Sequence, residues 1–400
     1  MESIFCYRNP DATTSAGSGP LRGTKVALQP TFSVAGWPTE AGSQALDGFH
    51  ALEDAALVER LRAAGADLVG FTRVSEFGFG LMGNAAGKAL QQEQAAAELV
   101  LDLSGEARLA AARAGSCGFK PSYGLIPRLG IVGLMPSLES CGILARKVKT
   151  IGAVLAAIAG PDERDFSLPA EPLPDLAIGG IDPRQTSIGV IAEVLQELPS
   201  DMLANLTKEL AGLKKMGFSV RELSCPDFAQ NRLVHRIVGS VEASSCAGRY
   251  DSVRYGKRAP GAKNWNEMYL QSRGAAFGTL LKSYLIQGAF FQFERYPVYE
   301  KACRLRGRFL KELEQLSAQA DFLLLPTLAA DAAGEPATLG EWYAQAAHTL
   351  CANVSGRPAL HLPPIFAGQG GGFQLTGPRR GDGRLLALGD FLLNQRQGGE

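Results

Sequence analysis

The chain has 400 residues, of which 46% are hydrophobic and 20% charged. This composition is typical of a globular protein with a large buried core and excludes a disordered or fibrous chain. Lys plus Arg and Asp plus Glu number 40 each, so the net charge excludes a protein-wide attraction to nucleic acid or to an anionic membrane.

The seven cysteines form no CxxC pair, and no histidine stands at metal-ligand spacing. This pattern fits a reduced, cytoplasmic location, and we expect neither a metal nor a cofactor. The N-terminus carries an acid at Glu2 and no apolar core, unlike a secretory signal. The best candidates for a membrane span, 151–159 and 285–293, are too short to cross a bilayer, so we expect no membrane contact.

The order of the predicted elements indicates an α/β fold. Residues 1–20 are rich in Ser, Thr, Gly and Pro and predict a flexible lead-in. Apolar runs then predict strands at 25–28, 67–72, 98–101, 186–191 and 321–326. Apolar residues at three- and four-residue spacing predict helices at 53–66, at 201–216 and over much of 232–318. Strands separated by helices favour a mostly parallel sheet covered on both faces.

Several strings occur in the order found in one enzyme family. EDAALVERLRAAGADLVGFTRVSEFGFG (53–80) and GSCGFKPSYGLIPRLG (115–130) resemble two segments of the amidase signature family. VEASSCAGRYDSVRYGKR (241–258) resembles a stretch typical of the amidotransferase A subunits of that family. The resemblance implies one domain over 21–395, with the family's N-terminal helical region largely absent. It also implies the amidase-signature fold, a large mixed, mostly parallel twisted sheet with helices on both faces.

The family is understood to cleave amides with a Ser-cisSer-Lys triad. An amide is a poor electrophile, so the attacking Ser must lose its proton to a base and backbone N–H groups must hold the oxyanion. In this family the Lys acts through a Ser on a cis peptide, and glycine-rich turns supply the N–H groups.

The resemblance places different residues at these positions. VALQP sets Gln29 where the family has Lys, and Gln cannot titrate. DLSGEAR (102–108) sets Glu106 where DTGGSIR has the nucleophile. No Ser lies between Ser75 and Ser104 for the third position, and that segment is shorter. We therefore expect no catalytic residue here: Gln29 should hydrogen-bond into the old pocket, and Glu106 should accept backbone N–H groups.

Four residues remain as candidate ligand contacts: Ser104, Gly105, Cys117 and Arg306. Ser104 and Gly105 precede Glu106 directly. Cys117 lies near the old site in sequence, but without a base that the sequence can place it is expected to be buried filler.

Arg306 stands where the amidotransferase members of the family hold glutamine. It could bind a carboxylate ligand or pair with Glu106 or Glu300. The Asp that would hold the α-amino group of glutamine is replaced by Ala346 or Ala347.

The leading hypothesis is a catalytically inactive amidase homologue that acts as a scaffold, regulatory subunit or ligand-binding subunit. Its expected partner is an amidotransferase B- or C-like subunit or an active amidase; a small carboxylate or amide is the candidate ligand, and no direct contact with nucleic acid is expected. The alternative is an enzyme of amidase or amidotransferase type that uses Glu106 or Cys117 in a remodelled site on a small amide or carboxylate. A third hypothesis is a plain binding module in which Arg306 recognises a carboxylate.

Overall fold

The computed structural model describes residues 3–12, 18–329, 336–368 and 370–397. Within these ranges eleven strands form one sheet: β1 (Phe5–Arg8), β2 (Lys25–Leu28), β3 (Asp67–Thr72), β4 (Ala97–Asp102), β5 (Cys117–Lys120), β6 (Ser140–Ala145), β7 (Ser187–Ile191), β8 (Ser219–Leu223), β9 (Phe322–Pro326), β10 (Ala359–Leu362) and β11 (Phe373–Thr376).

The α-helices of the same ranges are α1 (Ala56–Ala63), α2 (Lys88–Gln91), α3 (Glu106–Ala114), α4 (Val148–Ile158), α5 (Ala192–Glu197), α6 (Ser200–Lys215), α7 (Gln230–Ala247), α8 (Trp265–Ala276), α9 (Thr279–Ala289), α10 (Tyr296–Ser317), α11 (Leu339–Gln345), α12 (Leu350–Ser355) and α13 (Asp382–Gln397). A π-helical turn, Phe290–Glu294, joins α9 to α10. No helix of these described segments is both long and apolar enough to cross a membrane.

The sheet is mixed, with the strand order β1-β3-β2-β4-β6-β5-β10-β11-β9-β7-β8. Parallel pairs occur in two groups, β3-β2-β4 and β9-β7-β8. The strands between these groups, and β1 at the edge, pair antiparallel. The predicted mixed α/β sheet is therefore confirmed, with its parallel pairing limited to the two groups.

Helices cover both faces of the sheet. On one face, α3 packs so closely on β5 that a Cβ at Gly118 would lie 2.5 Å from the Ala107 carbonyl oxygen. On the other face, α13 packs on β10, where a Cβ at Gly389 would lie 2.1 Å from a methyl carbon of Leu360. Hydrogen atoms fit at these crossings and larger groups do not, so glycine sets the spacing between helix and sheet.

The N-terminal region differs from the flexible lead-in predicted over 1–20. Phe5 to Arg8 form β1, which pairs antiparallel with β3. The Phe5 ring is buried in the core, and Arg8 stacks over it at 4.2 Å. Burial of one aromatic ring and edge pairing outweigh the polar composition around this strand. Residues 1–2 and 13–17 of the predicted lead-in lie outside the described residues.

Candidate functional site

The turn between β4 and α3 is shaped by Gly105. This glycine has φ +114°, a backbone conformation that side chains disfavour. A Cβ there would also lie 2.2 Å from Thr349 Oγ1. The Thr349 hydroxyl donates to the Ser104 carbonyl at 2.5 Å. The turn and the segment before α12 are thus in direct contact, and only glycine fits between them.

Glu106 lies at the first position of α3 and folds back onto the turn that precedes it. Its Oε2 accepts the backbone N–H of Leu103 at 2.7 Å and that of Ser104 at 2.6 Å. Its Oε1 accepts the N–H of Gly80 at 3.2 Å. The side chain is 1% exposed. The carboxyl group therefore occupies three backbone donors that converge on one point.

The electrostatic surroundings of Glu106 favour its protonated form. Burial, and next the nearby charge of Asp102, raise the pKa of Glu106 to about 8, against the opposing effect of the backbone donors. In the described part of the chain, no cation pairs with Glu106 and no serine or lysine side chain hydrogen-bonds to it.

Gln29 follows the last residue of β2 and is fully buried. Its Oε1 accepts the backbone N–H of Leu101 on β4 at 3.0 Å, and its Nε2 has no hydrogen-bond partner within the described ranges. The Gln29 side chain thus ties two parallel strands together at their carboxyl ends, and its amide cannot accept a proton from a nucleophile at neutral pH.

An aromatic wall of Phe79, Tyr284, Trp342 and Tyr343 closes the space beside Gly80. The rings of Phe79 and Tyr284 stack with centroids 4.7 Å apart, and Phe79 meets Trp342 edge-on at 6.2 Å. Trp342 is fully buried and lies 3.7 Å from the position of a Cβ on Gly80. Large rings therefore fill the volume next to the Glu106 carboxyl group.

A buried hydrogen-bond chain runs behind this wall. His235 Nε2 lies 2.9 Å from the Leu103 carbonyl, and its Nδ1 lies 2.9 Å from the Tyr343 hydroxyl. The Tyr284 and Tyr343 hydroxyls are 3.1 Å apart. Because a carbonyl can only accept, Nε2 carries the proton and Nδ1 accepts from Tyr343. Burial lowers the pKa of His235 to about 4, so this imidazole is neutral and both nitrogens are occupied.

A second polar network lies under the turn and centres on Asp102 and Arg108, both fully buried. Asp102 accepts the N–H of Gly105 at 3.0 Å and the Asn353 amide at 2.8 Å, and it pairs with Arg108 at 3.3 Å. Arg108 also donates to Asn353 Oδ1 at 2.6 Å and Gln374 Oε1 at 2.8 Å. This network joins β4, α3, α12 and β11, and so fixes the position of the turn.

Ser104 contributes its backbone to the site. Its N–H binds Glu106 and its carbonyl accepts from Thr349. The Ser104 hydroxyl is buried and has no hydrogen-bond partner in the part of the chain that the structure describes. Ser104 and Glu106 are therefore joined through the Ser104 backbone, and no base among the described residues hydrogen-bonds to the Ser104 hydroxyl.

Cys117 does not join this site. The register of the sheet sets Cys117 opposite Ala145 and Ala145 opposite Ala97, at the start of β4, whereas Asp102 ends β4. Helix α3 carries the chain back across the sheet, so nearness in sequence does not become nearness in space. Cys117 is fully buried and burial raises the pKa of its thiol to about 12, which is unfavourable for a nucleophile.

Arg306 pairs with neither Glu106 nor Glu300. Its Nε donates to the Val354 carbonyl at 2.9 Å, and its two terminal nitrogens donate to the Ser137 hydroxyl at 2.7 Å and the Ser137 carbonyl at 2.8 Å. Glu300 instead pairs with Arg304, the residue one turn further along α10. Val354 and Ser137 were not foreseen because they lie far from Arg306 in sequence.

Lys120 is the fully buried lysine nearest to this network. Its Nζ donates to the Pro121 carbonyl at 2.8 Å, and burial, followed by the charge of Arg108, lowers its pKa to about 7. No serine hydroxyl hydrogen-bonds to Lys120 in the described ranges.

Sequence reasoning did not identify His235, Tyr343, Trp342 or Asn353 as parts of the site. The string AAHTLCANVSG (346–356) drew attention only for a missing Asp, although it supplies Thr349 and Asn353 to the turn. The Asn of this string could have been proposed as a polar contact for the end of a strand. His235 and Trp342 carry no such signal, because their positions depend on how α7 and α11 pack.

Comparison with known proteins gives consistent results. The family model described as Amidase matches residues 8–88 and 93–386. The A subunit of a glutamyl-tRNA(Gln) amidotransferase from Nitratidesulfovibrio vulgaris is 30% identical, over 96% of this chain and 85% of its own length. Its counterpart from Haloarcula marismortui is also 30% identical, over 96% of this chain and 98% of its own. The crystal structure of the Thermotoga maritima counterpart superposes with a TM-score of 0.78 at 21% identity, covering 96% and 85% of the two chains.

Proposed function

The chain belongs to the amidase family, and we propose that within this family it is a catalytically inactive member kept for binding. Its role would be that of a scaffold, a regulatory subunit or a ligand-binding subunit. The observation that carries the proposal is the Glu106 carboxyl group, which fills the backbone donors of Leu103, Ser104 and Gly80. An oxyanion needs such donors free, because they must hold the charge that develops during attack on an amide.

The base position supports the same proposal. Gln29 is a hydrogen-bonded amide, and the nearby His235 has its acceptor nitrogen occupied by Tyr343. A general base must be within reach of the proton that it removes and must have a free lone pair. Neither residue meets both conditions, and the buried carboxyl group of Glu106 is a poor nucleophile towards an amide.

A protein partner is the second part of the proposal. The curated relatives are named as the A subunits of amidotransferases, which supports a partner of the B or C kind or an active amidase. We also place the chain in the cytoplasm, as the unpaired cysteines lead us to expect, and assign it no direct nucleic-acid contact. A small carboxylate or amide remains the candidate ligand.

The catalytic half is tested by assaying the purified protein with glutamine, asparagine and simple amides beside an active amidase of the family. We expect no release of ammonia above the background without protein. Turnover that disappears in Glu106→Ala and persists in Glu171→Gln, a substitution at an exposed ion pair with Arg379, would reject the proposal.

The partner half is tested separately by purifying the tagged chain from its native host. An amidotransferase B- or C-like chain, or an active amidase, should co-elute in a fixed ratio to it. A monomeric elution profile would contradict a scaffold or regulatory role. A rise in melting temperature with an amino acid or simple amide would then favour the ligand-binding role, since a ligand that binds only the folded state stabilises it.

A further inference from the structure

Glu98 is a second buried carboxyl group, at the second position of β4, and no charged side chain among the described residues pairs with it. It is 0% exposed, and the residues at its level on the neighbouring strands are Ala27 and Leu144, both apolar. The charged residues on β4 and on the strands and α-helices packed around it are Lys25 on β2, Asp67 on β3, Lys88 on α2, Asp102 on β4, Glu106, Arg108 and Arg113 on α3, and Lys149 on α4. None of these charges influences the pKa of Glu98.

The hydrogen bonds around Glu98 are complete only when its carboxyl group is protonated. Thr72 Oγ1 lies 2.7 Å from Glu98 Oε1 and 3.3 Å from the Leu28 carbonyl. A hydroxyl has one proton, and a carbonyl can only accept. If Glu98 donates to Thr72, the Thr72 proton is free for Leu28. If Glu98 is ionised, the Thr72 proton turns to it and Leu28 loses this donor.

The other carboxyl oxygen of Glu98 binds the chain that connects β3 to β4. Glu98 Oε2 accepts the N–H of Gly87 at 2.8 Å. Gly87 precedes α2, has φ +82°, and would place a Cβ 2.7 Å from the Ala114 methyl group. The outer side of this segment is exposed at Lys88, Gln91, Gln92 and Glu93. Its inner residues Ala85, Ala89 and Leu90 are buried, so the bond from Gly87 to Glu98 adds to apolar packing in holding residues 84–95 against the core of the sheet.

We propose that Glu98 holds residues 84–95 against β4 more firmly when its carboxyl group is protonated than when it is ionised. Its protonated carboxyl group accepts from Gly87 and donates to Thr72, and so holds the segment against β4. Loss of the proton leaves an anion in an apolar site with no cation beside it, which is costly. Opening of the segment relieves that cost, because the carboxylate then reaches water while the strands of the core stay paired.

The direction of the pH effect follows from the two states. Burial raises the pKa of Glu98 to about 7 in the closed state, whereas the open state has the ordinary value of 4.5. Closure is therefore strongest below pH 4.5 and weakens as the pH rises to about 7. The opening constant should rise by up to about ten-fold per pH unit in this window. Above it both states are ionised, and the constant should level off.

Hydrogen exchange at the Gly87 amide measures this opening directly, since that N–H is the one bound to Glu98. Opening constants would be recorded across the window and beyond, corrected for intrinsic exchange chemistry. In the wild type they should rise and then level off. In Glu98→Gln they should be independent of pH, because a Gln amide can accept from Gly87 and donate to Thr72 without ionising. Glu93→Gln, at an exposed position of the same segment, should keep the wild-type profile.

A flat wild-type profile, or the same profile in Glu98→Gln as in the wild type, would overturn the proposal. If Glu98→Gln does not fold, the wild type still gives an answer through the carbon-13 shift of the Glu98 carboxyl carbon. That shift should report a protonated group about one pH unit below the midpoint near 7. An ionised carboxylate at that pH would refute the proposal.

Discussion

Asp102 and Glu106 are carboxyl groups four residues apart in the same buried turn, and they are stabilised in different ways. Asp102 has a cation, since Arg108 lies 3.3 Å away and Asn353 donates at 2.8 Å. Within the described residues Glu106 has only backbone N–H donors, and burial, followed by the charge of Asp102, raises its pKa. The first group belongs to a complete network that positions the turn. The second fills the donors that the network positions.

The contrast indicates that the residues that position the turn are distinct from the group that occupies its backbone N–H donors. The segment DLSGEAR has the same Asp and Arg as the family string DTGGSIR, both engaged in hydrogen bonds, and the resemblance sets Glu106 against the Ser between them. A chain can therefore keep the geometry of the turn while the group at its centre changes. This separation makes four predictions, taken from the largest expected effect to the smallest.

Arg108→Met should cause the largest loss of stability. It leaves Asp102 buried without its cation and removes the donors to Asn353 and Gln374. Breaking a buried ion pair from one side costs about 3–5 kcal/mol, measurable by chemical unfolding. Arg164→Met, at an exposed pair with Glu59, is the matched control and should change little. Equal losses of stability in the two variants would show that the buried Asp102–Arg108 pair contributes no more than an exposed ion pair.

Glu106→Ala should destabilise less. It leaves the N–H groups of Leu103, Ser104 and Gly80 without their acceptor, at about 1–3 kcal/mol for each buried donor that stays unsatisfied. Water that enters the vacated polar space accepts from some of these groups, which keeps the loss below that of Arg108→Met. Glu106→Gln retains an acceptor oxygen and should fall between the wild type and the alanine variant in the same unfolding experiment. A loss in Glu106→Ala as large as in Arg108→Met would mean that Glu106 is part of the framework.

The pH dependence of stability should reveal Glu106 as well. Its pKa of about 8 lies above the ordinary 4.5, so its stabilising contribution is complete below pH 4.5 and is lost as the pH rises through 8. The difference in unfolding free energy between the wild type and Glu106→Gln should therefore shrink across this range, by up to about 1.4 kcal/mol per pH unit. A constant difference would place the carboxyl group in a more polar environment than the structure has.

Restoring two family residues should have the smallest effect on activity. Gln29→Lys/Glu106→Ser would supply a lysine and a serine at the two positions that the resemblance assigns to them, but 76–103 still contains no serine to connect them. We expect no amide hydrolysis above background. Activity in this double variant, measured as ammonia release from glutamine, would show that the missing segment is dispensable and would weaken the proposal of an inactive protein.

The sequence predicted the strands that carry the site with good accuracy. Residues 25–28 and 67–72 form β2 and β3 as expected, and the strand predicted at 98–101 extends over Ala97–Asp102. The strings that flank them match a family, so their order was informative. The contacts of Glu106 with its own turn were also foreseeable, because they depend on residues two and three positions away.

The rest of the site depends on contacts between distant segments. Cys117 is eleven positions after Glu106 and lies at the opposite end of the sheet, whereas Thr349 touches the Ser104 carbonyl across 245 positions. The direction of α3 determines where Cys117 lies, and helix packing brings Thr349 to Ser104. Neither position can be read from the spacing of residues in the sequence. The same holds for Glu98, whose role appears only once Thr72 and Gly87 are placed beside it.

The position of Trp342 gives the molecule a built-in optical reporter. Its indole is fully buried against Gly80 and its N–H has no partner among the described residues, so its emission should be blue and should shift to the red when water enters beside Glu106. The chain has three tryptophans, and Trp265 is 56% exposed. Replacing Trp37 and Trp265 by Phe would leave Trp342 as the single tryptophan, and its emission wavelength would report the hydration of the site.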